Sequence, residues 1–199
     1  MTVRIAVLAS GRGSNLKALI DHFSKLGEHA PAAIELVASN RPGAPALDRA
    51  RAAGIAAESF NAGDDGSALI EILERHAIDL VVLAGYMKHI PAPVISRWNN
   101  RMINVHPGLL PEFGGAGMYG ARVHTAVIER KAPATGVTVH LVDEEFDHGP
   151  IVAQWKIPVL PGESAESLAE RVLEVEHIVY PRAVEMVATL IGRKIFANL

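Results

Sequence analysis

Five consecutive apolar residues, Leu80 to Ala84, limit the possible fold more than any other feature of this sequence. A strand with one face in water alternates apolar and polar residues, whereas a strand that is apolar throughout must be covered on both faces. Val3 to Ala9 and Met102 to His106 are predicted strands of the same buried kind. Such strands are typical of a parallel sheet with helices packed on each side.

Helical spacing separates these strands and indicates that the chain alternates strand and helix. Helices are predicted from about Leu16, over Ala46 to Ala53, Ser67 to His76, Pro91 to Trp98 and Ala121 to Arg130, and further strands at Ile34 to Ala38 and Ala57 to Phe60. Two later strand-like segments, Thr138 to Val142 and Ile151 to Val159, have no helix between them and should be antiparallel neighbours. Ser164 is expected to cap a last helix that Pro181 kinks or restarts.

These elements together predict a Rossmann-like α/β fold. The sheet should be open and twisted, mostly parallel with an antiparallel C-terminal end, and should carry helices on both faces. No repeat or polar linker divides the chain, so residues 1–199 are predicted to form a single domain.

Charge and hydropathy exclude some classes of partner. The chain carries 19 basic and 22 acidic residues, a net charge of −3, and lacks a Lys/Arg cluster. Nucleic acids and anionic membranes require concentrated positive charge, so neither is expected as a partner. Every apolar run is far shorter than the ~20 residues that cross a bilayer. We expect a cytoplasmic protein that acts on small molecules and is either a monomer or a homodimer.

A glycine-rich segment follows the first strand and opens the first helix. In Gly11-Arg12-Gly13-Ser14-Asn15, glycines let the backbone approach a ligand, and the N–H groups at the helix start suit a phosphate. The segment matches neither the dinucleotide fingerprint, because Leu16 replaces its third glycine, nor a P-loop, because it has no Gly-Lys-Ser/Thr ending. A simple turn with a Ser or Asn helix cap is the alternative interpretation.

Asn104 and His106 lie at the end of a predicted central strand, before Pro107-Gly108. Residues two apart on a strand point the same way, so the two side chains could converge on one substrate atom. An amide beside an imidazolium offers the donors that the oxygen of a tetrahedral acyl-transfer intermediate requires. A buried pair that only stabilises the turn is the alternative interpretation.

The loop Asp143 to Pro150 carries four acidic residues between the last two strands. Such a run is usually a solvated turn, although one of its acids could orient the imidazole. The nine histidines include no i, i+4 pair with an intervening Glu, so no metal is expected.

Taken together, the motifs resemble phosphoribosylglycinamide formyltransferase. They occur in that family's order over almost the whole chain: Gly11-x-Gly13-Ser14-Asn15, Leu83-Ala84-Gly85-Tyr86-Met87, Ile103-Asn104-Val105-His106-Pro107-x-Leu109-Leu110-Pro111, Val139-His140-x-Val142 with Phe146-Asp147-x-Gly149-Pro150, and Glu176-His177-x-x-Tyr180-Pro181. The resemblance implies transfer of a formyl group from 10-formyltetrahydrofolate, as co-substrate, to the amine of glycinamide ribonucleotide in purine biosynthesis.

The resemblance also implies the site residues. Asn104, His106 and Asp147 would be catalytic. The ribonucleotide would bind to Gly11, Arg12, Gly13, Ser14, Asn15 and Glu176. The folate would contact Met87, Lys88, His89, Ile90, Asn104, His140, Val142, Asp143 and Asp147. As a coarse division of the domain, residues from 1 to about 100 would serve phosphate binding, and residues from about 101 to 199 would serve catalysis and folate binding.

Three positions depart from the commoner family pattern. Lys88 stands where an arginine often binds the glutamate tail of the folate, which removes a bidentate contact. Leu173 stands where a lysine can assist at the phosphate, and Arg12 is the candidate for the missing charge. The segment Gly114 to Gly120 is longer and richer in glycine than usual, which fits either a mobile lid or a passive surface loop.

Other functions stay open at this point. A formyltetrahydrofolate hydrolase would use the same Asn-His-Asp set with water as acceptor, but proteins of that family lack the phosphate loop and carry an extra N-terminal domain. A methionyl-tRNA formyltransferase would need a C-terminal RNA-binding domain and a basic surface, whereas this chain ends at Leu199 with a negative net charge. A non-enzymatic folate- or nucleotide-binding protein is the third possibility, against which the three catalytic residue types argue.

Overall fold

The computed structural model describes residues 2–62 and 65–195. In these ranges seven strands form one sheet: β1 Val3–Leu8, β2 Ala32–Ser39, β3 Ala56–Ser59, β4 Leu80–Leu83, β5 Met102–His106, β6 Ala134–Leu141 and β7 Ile151–Pro158. Six α-helices accompany them: α1 Ser14–Leu26, α2 Pro45–Ala52, α3 Ser67–Arg75, α4 Ala92–Arg97, α5 Ala121–Glu129 and α6 Ala165–Gly192. Gly27–His29 forms a 3₁₀ turn after α1.

The strands lie in the order β3-β2-β1-β4-β5-β6-β7. The first five pair in parallel, while β6 is antiparallel to both β5 and β7. This confirms the predicted parallel sheet with an antiparallel C-terminal end. The chain builds outward from β1 to β3 and then returns to the other side of β1 at β4. Open α/β sheets bind ligands at such a reversal, beyond the carboxyl ends of the strands.

Helices cover both faces of the sheet, as predicted. Alternate residues of β1 pack into two different cores: Ile5 and Val7 into one, Ala6 and Leu8 into the other. The first core lies under α1, α2, α5 and α6, and the second lies under α3 and α4. Two-sided burial explains why the central strands are apolar throughout. No helix within the described ranges combines the length and the apolar character that a bilayer span requires.

The last helix corrects one expectation. The Ser164 side chain accepts a hydrogen bond from the Ser167 N–H, so the predicted cap is confirmed. However, α6 continues through Pro181 to Gly192, and the predicted alternative of a restart there is wrong. Tyr180, Pro181 and Val184 are buried at this point. Their packing compensates for the backbone hydrogen bond that proline cannot donate.

Candidate active site

The side chains of Asn104 and His106 lie at the carboxyl end of β5, where the register pairs Asn104 with His140 on β6. The loop between β6 and β7, residues 142–150, crosses the same end of the sheet and brings Asp147 to within 3.3 Å of His106. The structure therefore brings together Asn104, His106 and Asp147. It adds His140 to this cluster, which the sequence assigned only to folate contact.

His106 is 2% exposed, and each of its ring nitrogens faces an oxygen acceptor. Nε2 lies 2.7 Å from the carbonyl oxygen of Phe113, and Nδ1 lies 3.3 Å from Oδ2 of Asp147. A carbonyl and an ionised carboxylate can only accept, so a proton on each nitrogen is satisfied in this environment. The arrangement suits an imidazolium, the form that can donate to an oxyanion.

Asn104 is oriented by His140. The Nδ1 atom of His140 lies 2.8 Å from the carbonyl oxygen of Leu141, so Nδ1 carries the proton and donates it. In the neutral ring with this tautomer Nε2 is an acceptor, and Nδ2 of Asn104, 3.1 Å away, can donate to it. This contact fixes which end of the Asn104 amide presents nitrogen. The second N–H of the same amide group stays available to a substrate oxygen.

Asp147 is held from several sides. Its φ is +56°, a left-handed conformation that is uncommon for residues other than glycine. Oδ2 accepts a hydrogen bond from the Gly115 N–H at 3.1 Å, and Oδ1 lies 3.6 Å from Nε2 of His140. Burial acts to raise the Asp147 pKa, but the hydrogen bond and charge of His106 and the N–H of Gly115 outweigh it and hold the pKa well below its usual range. The carboxylate is therefore ionised at neutral pH.

A cavity of about 60 Å³ opens beside this cluster. Eight of the nine residues assigned to the folate line it: Lys88, His89, Ile90, Asn104, His140, Val142, Asp143 and Asp147. Met87 lies just outside the lining, with a half-exposed side chain and its N–H donating to Oγ of Ser10 at 3.0 Å. A larger cavity of about 310 Å³ shares Tyr86, Lys88 and His89 with the first. The two cavities are therefore neighbours.

The glycine-rich segment turns directly into α1. Gly13 is the N-cap residue with φ +71°, and no side chain caps the helix, so the alternative of a Ser or Asn cap is wrong. A Cβ at Gly13 would lie 3.0 Å from Cβ of Ala46, so both conformation and space favour glycine there. Because the first N–H groups of an α-helix have no acceptor within the helix, the start of α1 at Ser14 suits an anion.

Asn15 and Glu176 form a buried pair behind this helix start. Nδ2 of Asn15 donates to Oε2 of Glu176 over 2.6 Å, although the two residues are 161 positions apart in sequence. Burial raises the Glu176 pKa to about 7, against the opposing effects of Asn15 and of His106. Arg12 is exposed at the tip of the loop, and Leu173 is half-buried one turn before Glu176.

Several functional contacts were not foreseen from sequence. They come from the carbonyl of Phe113, the N–H of Gly115 and the hydroxyl of Ser10, which donates to Oδ1 of Asn40 over 2.6 Å. Residue type does not indicate which backbone groups will make such contacts, although the glycine-rich segment Gly114 to Gly120 was a signal in the sequence. A Cβ at Gly114 would lie 3.1 Å from Cβ of Asp147, so the start of the segment Gly114 to Gly120 packs against Asp147. In the described ranges, no group of three His, Asp or Glu residues is arranged to hold a metal.

Comparison with known proteins agrees with this geometry. Residues 3–184 match the family described as Formyl transferase. The chain is 40% identical over 192 residues to the human trifunctional purine biosynthetic protein adenosine-3, covering 94% of this chain but only 18% of that protein's length.

Shorter proteins match along most of their length. The chain is 36% identical to the phosphoribosylglycinamide formyltransferase of Escherichia coli, covering 94% of this chain and 87% of that one. It superimposes on the crystal structure of phosphoribosylglycinamide formyltransferase from Anaplasma phagocytophilum with a TM-score of 0.86 and 38% identity, covering 94% and 87% of the two chains. The chain belongs to the formyl transferase family and, within it, to the phosphoribosylglycinamide formyltransferases.

Proposed function

We propose that this protein transfers the formyl group of 10-formyltetrahydrofolate to the amine of 5-phosphoribosylglycinamide. The products are the formylated ribonucleotide and tetrahydrofolate, and the reaction is a step of purine biosynthesis. One observation carries the proposal: a helix start suited to phosphate follows β1, and the Asn104, His106 and Asp147 cluster lies at the end of β5, with only β4 between these two strands of one sheet. A phosphate-bearing amine and an acyl donor can therefore meet there.

The chemical step uses side chains that the free protein already holds in place. The substrate amine attacks the formyl carbon, and the carbonyl oxygen becomes an oxyanion. Asn104 offers the N–H that His140 leaves free, and protonated His106 offers Nδ1–H beside Asp147. The 3.3 Å separation between His106 and Asp147 is long for a charge-assisted hydrogen bond, so Nδ1–H can be shared with an oxyanion next to the carboxylate.

Proton transfer completes the reaction. The attacking amine becomes positively charged and must lose a proton, while N10 of the folate must gain one before it leaves. The ionised carboxylate of Asp147 is the nearest base in the cluster, and we assign it the transfer of this proton from the amine to N10. The proton that leaves the amine is the one that N10 gains, so no proton is taken from or released to the solvent.

The ribonucleotide binds through its remote phosphate. We assign the phosphate to the N–H groups of Gly13, Ser14 and Asn15, with Gly11 allowing close approach and Arg12 adding positive charge. Glu176 accepts a hydrogen bond from a ribose hydroxyl beside Asn15. These contacts position the amine and reduce the entropic cost of a reaction between two substrates.

The folate occupies the smaller cavity and extends toward the larger one. Ile90 and Val142 provide apolar walls, while Asp143 and His140 provide polar contacts to the pteridine ring. Met87 packs at the rim, and the exposed Lys88 attracts the glutamate tail as a point charge. Residues up to about 100 supply the ribonucleotide site, Glu176 excepted, and part of the folate site, whereas those from about 101 supply the catalytic groups and the rest of the folate site.

The experiment is the consumption of 10-formyltetrahydrofolate, followed by absorbance, with and without 5-phosphoribosylglycinamide. We expect tetrahydrofolate to form only when the ribonucleotide is present. Equal consumption without the ribonucleotide would identify the alternative, a formyltetrahydrofolate hydrolase. No consumption under either condition would favour a binding protein.

A further inference from the structure

His89 makes a contact between two loops that the mechanism above does not use. It lies after β4, in the segment that leads to α4, whereas Glu144 and Phe146 lie in the loop between β6 and β7. Nε2 of His89 lies 2.9 Å from the carbonyl oxygen of Glu144. The rings of His89 and Phe146 meet edge to face, with centroids 5.0 Å apart and planes at 72°.

We propose that His89 is a positioning residue that holds the loop between β6 and β7, residues 142–150, in its folate-binding conformation. The proposal rests on the proposed function for its consequences in catalysis, but not for the contact itself. We name the two contacts, from His89 to the Glu144 carbonyl and to the Phe146 ring, the His89 bridge.

The location of the His89 bridge explains what it does. His89, Phe146 and Asp147 all line the smaller cavity, so the bridge closes one wall of the folate site. Asp147 follows Phe146 directly and needs a left-handed φ that aspartate adopts at a cost. Gly115 holds the carboxylate of Asp147 from one side, and the His89 bridge holds the preceding residues from the other.

Exposure limits the strength of the bridge. His89, Glu144 and Phe146 are all exposed, and Phe146 is 50% accessible. Water competes for an exposed hydrogen bond, so its net contribution is small. We therefore expect His89→Ala to raise the KM for 10-formyltetrahydrofolate about threefold to tenfold. The kcat should change less than twofold, because Gly115 still holds Asp147.

The decisive experiment is hydrogen exchange, measured by mass spectrometry, on the free protein without any substrate. His89→Ala should speed exchange of the amides of residues 143–147 severalfold, with thermal stability nearly unchanged. Phe146→Leu should cause a smaller increase in the exchange rate. In the double variant His89→Ala/Phe146→Leu the rate should rise by less than the product of the two single increases, because both residues belong to one bridge.

Lys88→Ala is the matched control, since Lys88 is the exposed neighbour of His89 and lines the same cavity. It is expected to weaken folate binding through charge alone and to leave loop exchange unchanged. The proposal is overturned if His89→Ala exchanges like the wild type, even if its KM rises, because His89 would then act by touching the folate directly. The exchange result stands even if the protein transfers no formyl group.

Discussion

Each nitrogen of the His106 ring faces an oxygen. One oxygen is the carbonyl of Phe113, and the other belongs to the charged carboxylate of Asp147. Asp147→Asn removes the charge and nearly preserves the shape. We expect kcat to fall by orders of magnitude, because the amide neither stabilises an imidazolium nor accepts the amine proton. Folate binding, measured by equilibrium titration, and thermal stability should change little.

The control for Asp147 lies in the same loop. Glu144 and Glu145 are exposed, and the only assigned role of Glu144 uses its backbone carbonyl. Glu144→Gln and Glu145→Gln should therefore keep nearly full activity. If either of them is as damaging as Asp147→Asn, the loop acts through its overall charge, and the catalytic assignment of Asp147 is wrong.

Asn104 is expected to act in the transition state. Asn104→Ala removes an N–H aimed at the developing oxyanion, a loss that lowers kcat roughly 100- to 1,000-fold at comparable sites. The KM values should change much less, and steady-state kinetics separates the two effects. A variant with nearly normal kcat would exclude Asn104 from the mechanism.

Glu176 makes the stability of the free protein depend on pH. Its pKa is raised from 4.5 to about 7, so between these values the unfolded chain has lost a proton that the folded protein retains. The free energy of unfolding should therefore fall as pH rises through this window, by about 3 kcal/mol at most. Below pH 4.5 this contribution is fully present, and above pH 7 the loss is constant.

The matched variants for this effect are Glu176→Gln and Glu174→Gln. Glu174 is exposed on the same helix and serves as the control. In urea denaturation at pH 5 and pH 8, Glu176→Gln should remove most of this pH dependence, and Glu174→Gln should retain it. Equal pH dependence in both variants would mean that Glu176 ionises in the folded protein as it does in water.

At the scale of elements, the start of α1 is the part of the ribonucleotide site that mutation can test most cleanly. Asn15→Ala removes the buried hydrogen bond that positions Glu176, the acceptor assigned to the ribose, and keeps the backbone N–H groups of the anion site. A contact remote from the reacting atoms is held alike in the ground and transition states, so the variant should mainly raise the KM for the ribonucleotide, by roughly tenfold. Titration of the folate should be unaffected. A fall in kcat with unchanged KM would place Asn15 at the reacting atoms instead.

The strands were predictable because burial on both faces selects continuous apolar residues. Met102–His106 has the predicted bounds, and the antiparallel pairing of the last strands followed from the missing helix between them. The course of α6 through Pro181 was not predictable, since it depends on packing against the sheet rather than on local propensity. The glycine cap of α1 likewise became visible only from its φ.

The site was predictable where it depends on side-chain type and not where it depends on backbone. Asn104, His106 and Asp147 belong to motifs and lie together in the fold. The Phe113 carbonyl, the Gly115 N–H and the His89 bridge depend on where loops cross, which residue type does not determine. The sequence therefore predicted which side chains cluster but not the backbone and loop contacts that hold them.

At the scale of the whole molecule, strand order explains how residues far apart in sequence form one site. The reversal between β1 and β4 places the phosphate loop after β1 beside the segment Tyr86 to Ile90 after β4. Ser10 connects the two directly, since its hydroxyl accepts the Met87 N–H. Glu176 reaches the same region from α6, which lies across one face of the sheet.

The central claim is that this sheet edge joins an amine held by its phosphate to a formyl group held by a folate. The most direct test follows the fate of the formyl carbon, with ¹³C in the formyl group of 10-formyltetrahydrofolate and carbon NMR as the readout. In the presence of 5-phosphoribosylglycinamide, the label should appear as the formamide of the ribonucleotide, in a one-to-one ratio with tetrahydrofolate. Release of the label as formate, at a rate independent of the ribonucleotide, would contradict the account.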